Sequence, residues 1–195
     1  VADPWGEGNH GTVVGKWKRT PGAMGQGLSL NGASTFVEVP HSPSLNPGVS
    51  NWTVAAWVRT QWTGTLTVIY KDNAPRLQHY YSLLIAENKP VFVFGQGEGE
   101  VRLYGKTRVN DGQWHHLAGV RTGPFTAQVY VDGILESTYT HPRLTFPEME
   151  STSPVKFGVG DVERGFGQYV GQIDEIMIFK GALSADEIRQ LSGGK

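Results

Sequence analysis

The chain has 195 residues, 17 basic and 18 acidic side chains, a formal net charge of −1 and no cysteine. That balance offers no general attraction to nucleic acid or to acidic membranes, and the missing thiols exclude disulfides, zinc–thiolate sites and thiol nucleophiles. No apolar run approaches the ~20 residues that a membrane helix needs, so no membrane insertion is expected, and the length suits one undivided β domain over residues 1–195. The absence of disulfides leaves the compartment open, and Val1 reads as a mature or trimmed start.

In chain order, Asp3–Gly15 is a polar, glycine-rich loop running into a short strand at Thr12–Val14. Gly25–Leu30 and Phe36–Val39 are expected as strands around Asn31-Gly32, a strong hairpin signal. Pro40–Val49, rich in Ser and Pro, reads as a loop. Trp52–Arg59 alternates: Trp52, Val54, Ala56 and Val58 take one face, and Thr53, Ala55, Trp57 and Arg59 the other. Asn51-Trp52-Thr53 fits a glycosylation acceptor, but it opens a strand expected to be buried and is read as accidental. Further strands are expected at Leu66–Tyr70, Tyr80–Ile85, Val91–Phe94, Val101–Tyr104, Trp114–Val120 and Thr126–Val131. After the turn Asp132-Gly133 comes Ile134–Tyr139, then a long surface loop over Thr140–Pro154, then Val155–Val159.

The last stretch, Gly171–Leu191, organises the rest. Its first half is apolar on both faces, with Ile173, Met177 and Phe179 on one and Ile176 and Ile178 on the other, as in a strand buried inside a two-layer protein. Its second half carries the one convincing helix signal: Ser184 and Glu187 have capping-box spacing, and Ile188 and Leu191 form a short apolar edge. About a dozen short strands with turns between them mean an all-β fold: a two-sheet antiparallel jelly-roll sandwich with one short C-terminal helix.

Several segments carry a family resemblance. Gly27–Gly32, Phe36–Pro40 with Ser44-Leu45, Trp52–Val58, Asp111–Val120, Tyr130–Gly133 and Gly171–Ile188 occur in the order found in laminin-G-like jelly-roll domains, and the chain resembles that branch of the concanavalin A-like superfamily. The resemblance implies a carbohydrate-binding or adhesion module of a secreted or cell-surface bacterial protein, often with other domains in the parent chain and a structural calcium ion. The partner it implies is a polysaccharide or glycan; a protein–protein or adhesion role through the same loops is the alternative.

An enzymatic role fits less well. Superfamily β-glucanases carry carboxylates at alternate positions of one strand, because a retaining glycosidase needs acid and nucleophile ~5 Å apart. In Gln172–Met177, Asp174 and Glu175 are adjacent and face opposite ways, while Gln172 and Ile176 flank Asp174 at strand spacing. A lyase base assembled from distant strands, such as His79 or Tyr81, is the remaining enzymatic alternative. His115 and His116, adjacent on a strand, cannot both face one ion and read as packing residues.

Sugars present apolar C–H faces and fixed hydroxyl pairs, which suit aromatic rings beside planar polar groups. Trp52, Trp57 and Trp114 lie within regular strands and are assigned to packing. Trp62 sits in a turn-rich stretch; Arg76, His79 and Tyr81 cluster at the start of a strand; Arg102 and Tyr104 share a face; Arg164 and Phe166 precede the last strand. These eight are the candidate ligand-binding residues. For calcium, the candidates are Asp3, Glu7 and Asn9 of the first loop with Asp174, which interrupts an otherwise apolar strand face.

Overall fold

Strands of alternating side chains bury one face only when paired with a second layer, and this chain supplies both layers. The computed structural model describes residues 1–2, 8–32, 35–72, 80–95, 100–123, 126–140, 151–161 and 166–194. Its strands are β1 (Thr12–Val14), β2 (Lys18–Pro21), β3 (Gln26–Asn31), β4 (Phe36–Val39), β5 (Trp52–Arg59), β6 (Leu66–Lys71) and β7 (Tyr80–Ala86). They continue with β8 (Lys89–Gly95), β9 (Val101–Tyr104), β10 (Trp114–Thr122), β11 (Thr126–Val131), β12 (Ile134–Thr140), β13 (Val155–Phe157) and β14 (Val170–Phe179), before helix α1 (Ala185–Leu191). One seven-stranded sheet runs β1-β4-β13-β6-β7-β8-β9 and the other β12-β11-β10-β5-β14-β3-β2, with every pairing antiparallel. The expected sandwich with one short C-terminal helix is the observed architecture.

The core forms between the inner faces. Trp52, Val54 and Val58 of β5, Leu117 of β10 and Val129 of β11 meet Tyr81 and Leu83 of β7 and Phe92 and Phe94 of β8. The Trp52 ring lies 4.7 Å from Tyr81 and 5.2 Å from Phe92, centroid to centroid. Gly119 of β10 makes this approach possible, since a Cβ there would stand 2.5 Å from the Phe92 ring.

Strand β14 lies between β3 and β5, as a strand apolar on both faces should. Its faces differ from the simple alternation, however. The register with β5 shifts between Asp174 and Met177, and Glu175 takes φ 43°. This bulge adds a residue, so Ile173, Ile176 and Ile178 all reach the central core while Met177 turns to the outer face. On that outer face α1 packs Ile188 against Ala55, Ala118, Val120 and Tyr130. The capping box is present: Glu187 N–H donates to Ser184 Oγ at 3.3 Å, and Ser184 N–H to the Glu187 carboxylate at 2.7 Å.

Two further expectations need correction. Asn31-Gly32 does not close a hairpin: β3 and β4 belong to different sheets, β3 pairing with β2 and β14, and β4 with β1 and β13. The chain crosses between layers there, and a local turn signal does not determine which strand becomes the partner. The segment Thr140–Pro154 is not all surface loop: Thr140 ends β12, and Ser151 is buried with its hydroxyl donating to Asp72 O at 2.6 Å. Strand β2, exposed and without apolar alternation, escaped sequence reading. The Asp132-Gly133 turn is as expected, both residues having positive φ (49° and 80°), which suits a right-twisted two-residue hairpin.

Candidate functional site

The outer face of the first sheet is apolar where an exposed face should be polar. Tyr70 of β6, Leu84 of β7 and Val91 and Val93 of β8 form it, and Phe166, from the segment before β14, covers part of it. Phe166 is 4 % exposed and its ring lies 5.1 Å from that of Tyr70. Arg102 of β9 extends over Phe166, its guanidinium carbon 5.7 Å from the ring centroid, and its Nε donates to Glu100.

Beside this cover a cleft of about 420 Å³ remains open. Leu84, Ala86 and Val91 supply its apolar part, Thr63–Thr65 and the turn Glu87-Asn88 bound it, and Arg102 and Tyr104 complete it. Trp62, 55 % exposed, directly precedes the Thr63–Thr65 boundary, with its indole nitrogen near Gly64. Trp62 is fixed through its backbone: its N–H donates to Thr60 Oγ1 at 3.0 Å, and the Asn110 amide reaches both Trp62 O at 3.3 Å and Asn88 Oδ1 at 2.8 Å. Asn110 thus ties the Trp62 loop to the β7–β8 turn. Asn88, Asn110 and Thr63–Thr65 had no sequence signal as a group, because only the fold brings them together.

Of the eight candidate ligand residues, Arg102 and Tyr104 line this cleft, and Trp62 directly precedes its Thr63–Thr65 boundary. Arg76, His79 and Arg164 lie outside the described residues. Tyr81 is a correction: it is 1 % exposed, points into the core, and its hydroxyl donates to Leu45 O at 3.0 Å. Burial pushes that phenol far above its ordinary range, so neither sugar contact nor a base role suits it. Phe166 is also corrected, from a contact surface to a buried ring beneath Arg102.

The two adjacent histidines occupy different environments. His115 bonds Asp132 Oδ2 through Nδ1 at 2.8 Å and Asp111 Oδ1 through Nε2 at 3.2 Å. The Asp132 bond raises the His115 pKa against the opposing effect of burial. His116 is buried beside Trp57, and burial pushes its pKa down to about 4. Among the described residues no three His, Cys, Asp or Glu side chains gather to hold a metal.

The calcium candidates are only partly described, since Asp3 and Glu7 lie outside the described residues. The Asn9 amide bonds the Ser44 hydroxyl at 3.0 Å. Asp174 is 7 % exposed, and its Oδ2 accepts the Met24 N–H at 3.0 Å. Val1, Asp174 and Glu175 line one cleft of about 380 Å³, so the N-terminal segment begins beside these carboxylates. Burial, and next the charge of Asp174, raise the Glu175 pKa, and Arg19 lines the same cleft.

A family model described as the concanavalin A-like lectin/glucanases superfamily (Laminin_G_3) matches residues 31–189, well over half of the sequence. The chain belongs to this superfamily. Its name spans lectins and glucanases, so membership decides the fold and leaves the chemistry to the site. No curated protein gives a significant sequence match. Among solved structures, the binding domain of Paraclostridial Mosquitocidal Protein 1 superposes with a TM-score of 0.80 at 15 % identity, covering 98 % of this chain and 49 % of that one. Domain 4 of AbnA, a GH43 extracellular arabinanase from Geobacillus stearothermophilus solved with arabinotriose, gives 0.74 at 22 % identity, covering 93 % and 87 %. The binding domain of Botulinum Neurotoxin DC, solved in complex with SialylT, gives 0.74 at 16 % identity, covering 98 % and 48 %. This superfamily chain thus spans about half the length of the toxin binding domains that it matches. No helix among the described residues is long and apolar enough to cross a membrane.

Proposed function

We propose that the chain is a non-catalytic carbohydrate-binding module of a secreted, multidomain bacterial protein, and that it holds glycan in the cleft flanked by Trp62, Arg102 and Tyr104. One observation carries the reading: a large aromatic ring, 55 % exposed, projects from a backbone held by hydrogen bonds, immediately before the Thr63–Thr65 boundary of a mainly polar cleft. An exposed indole on a fixed loop offers an apolar plate for a sugar ring, and Arg102 supplies planar N–H donors beside it. The ligands bound in two structural relatives, arabinotriose and SialylT, favour the same class. A structural calcium ion belongs to this proposal, supported by the raised Glu175, the buried Asp174 and the cleft that both share with Val1. Isothermal titration of the protein against a panel of soluble polysaccharides tests the reading. Binding that Trp62→Ala weakens at unchanged melting temperature supports it; release of reducing or unsaturated sugar from the panel would replace it with an enzymatic one.

A further inference from the structure

A second cleft, about 840 Å³, opens at another end of the sandwich, between the segment Pro43–Asn51 and the end of β14 at Ile178–Gly181. Its volume falls in the range of small-molecule sites. Its shape is held from inside by buried polar groups. The Arg121 guanidinium, buried in the core, donates from Nη1 to Gly48 O at 3.0 Å and from Nη2 to Val49 O at 3.1 Å. Tyr81 donates to Leu45 O at 3.0 Å, and Thr53 Oγ1 donates to Gly181 O at 2.8 Å while accepting from Leu183 N–H at 3.0 Å. Asn51 Oδ1 accepts the Gly123 N–H at 2.6 Å. Burying a guanidinium is costly, and here it fixes the backbone of an irregular segment rather than a strand.

The lining gives the ligand its chemistry. It contains no carboxylate and one cation, Lys180, whose ammonium group has no ion-pair partner among the described residues. Ser50 and Asn51 bring polar groups, and the half-buried Phe179 ring with Pro43 and Pro47 brings apolar surface. Trp52 forms part of the floor, and its buried indole N–H has no acceptor among the described residues. We infer that this cleft is a second binding site, for a carboxylated saccharide: the carboxylate pairs with Lys180, and the C–H face of the sugar ring rests on Phe179 and the prolines. The cleft is distinct from the Trp62 cleft, and its occupancy does not depend on that reading.

The test follows the Trp52 indole resonance and the backbone amides of 49–51 and 180–181 by ¹H–¹⁵N NMR while trigalacturonate is titrated. Galactotriose and benzoate serve as comparisons. Trigalacturonate should shift these signals, with affinity falling as salt rises. Lys180→Ala should weaken it roughly tenfold or more, the loss expected of a charge-assisted contact. Trp62→Ala should leave these shifts unchanged, which separates this site from the other cleft. Equal shifts with galactotriose would overturn the charge assignment, and shifts with benzoate but not trigalacturonate the saccharide assignment. Absence of shifts at these positions with all three would overturn the site. Lys180 is exposed, so Lys180→Ala should keep the wild-type melting temperature, and a folded variant binding as well as wild type would also overturn the proposal.

Discussion

The His116 ring lies edge-on to Trp57, centroids 5.4 Å apart and planes inclined by 64°, and neither imidazole nitrogen nor the indole N–H has a hydrogen-bond partner among the described residues. His116 is therefore held as a neutral aromatic spacer under the outer cover of the second sheet. Its folded pKa, about 4, lies below the ordinary histidine value, so the neutral form is the one that folding favours. The resulting stability is complete above pH ~6.5 and is lost as the pH falls from there towards 4. His115, one residue earlier, has the opposite sign: its raised pKa contributes stability below pH ~6.5 that is lost as the pH rises through the folded value. Asp132 faces both histidines, and its bonds and charge interactions with them keep its carboxyl low despite burial.

Urea unfolding at pH 7, 5.5 and 4 checks this. Between pH 6.5 and 4 wild-type stability should fall by roughly 3 kcal/mol through His116, the equivalent of its displaced pKa. His116→Phe keeps a ring against Trp57 and should flatten that part of the profile. An unchanged slope in the variant would mean that His116 is not what acid titrates.

Trp62 and Phe166, one exposed beside the first cleft and one buried under Arg102, should separate cleanly. Trp62→Ala removes an exposed ring and should weaken glycan binding about tenfold or more with little change in melting temperature. Phe166→Ala removes a buried ring packed on Tyr70 and should cost about 3–5 kcal/mol of stability. Reversed effects in the same melts and titrations would exchange their roles.

What the sequence disclosed depended on whether a feature was local. Phe36–Val39, Trp52–Arg59, Val101–Tyr104 and Thr126–Val131 have the limits their alternation implies, and the Ser184–Glu187 cap lies within four residues. Tyr81 was misassigned because Tyr80-Tyr81-Ser82 leaves the facing of the strand open, and a one-residue slip exchanges core for surface. Phe166 does lie in a loop, as expected, but reads as exposed since its partners, Tyr70 and Val93, stand some 70 or more positions away in sequence. The Asn31-Gly32 and Asp174–Met177 errors share a cause: partner choice and bulges are decided by the neighbouring strands, not by the residues themselves.

Gly119→Ala should be destabilising even though alanine suits most buried strands. The added methyl would stand 2.5 Å from the Phe92 ring, and overpacking of this kind costs about 1–3 kcal/mol. The double variant Gly119→Ala, Phe92→Leu should recover part of the loss, read from chemical denaturation of all four proteins in the cycle. Independent, additive losses would place the strain elsewhere.

Calcium should raise the melting temperature and a chelator should lower it, by mass action on the native state. Asp174→Asn should lose most of that response. A wild-type melt indifferent to both additions would mean that the Met24 N–H and the remaining surroundings satisfy Asp174 without a cation.

Strand β14 fills the slot between β3 and β5, two strands made more than a hundred residues earlier. During synthesis on the ribosome the second sheet must wait as two separated halves, each with an unpaired edge, until residues 170–179 emerge. Such edges are templates for foreign strands. The nascent domain is thus exposed to aggregation until those residues emerge, and premature termination before residue 170 removes the strand that joins the halves, whatever the condition of the other sheet.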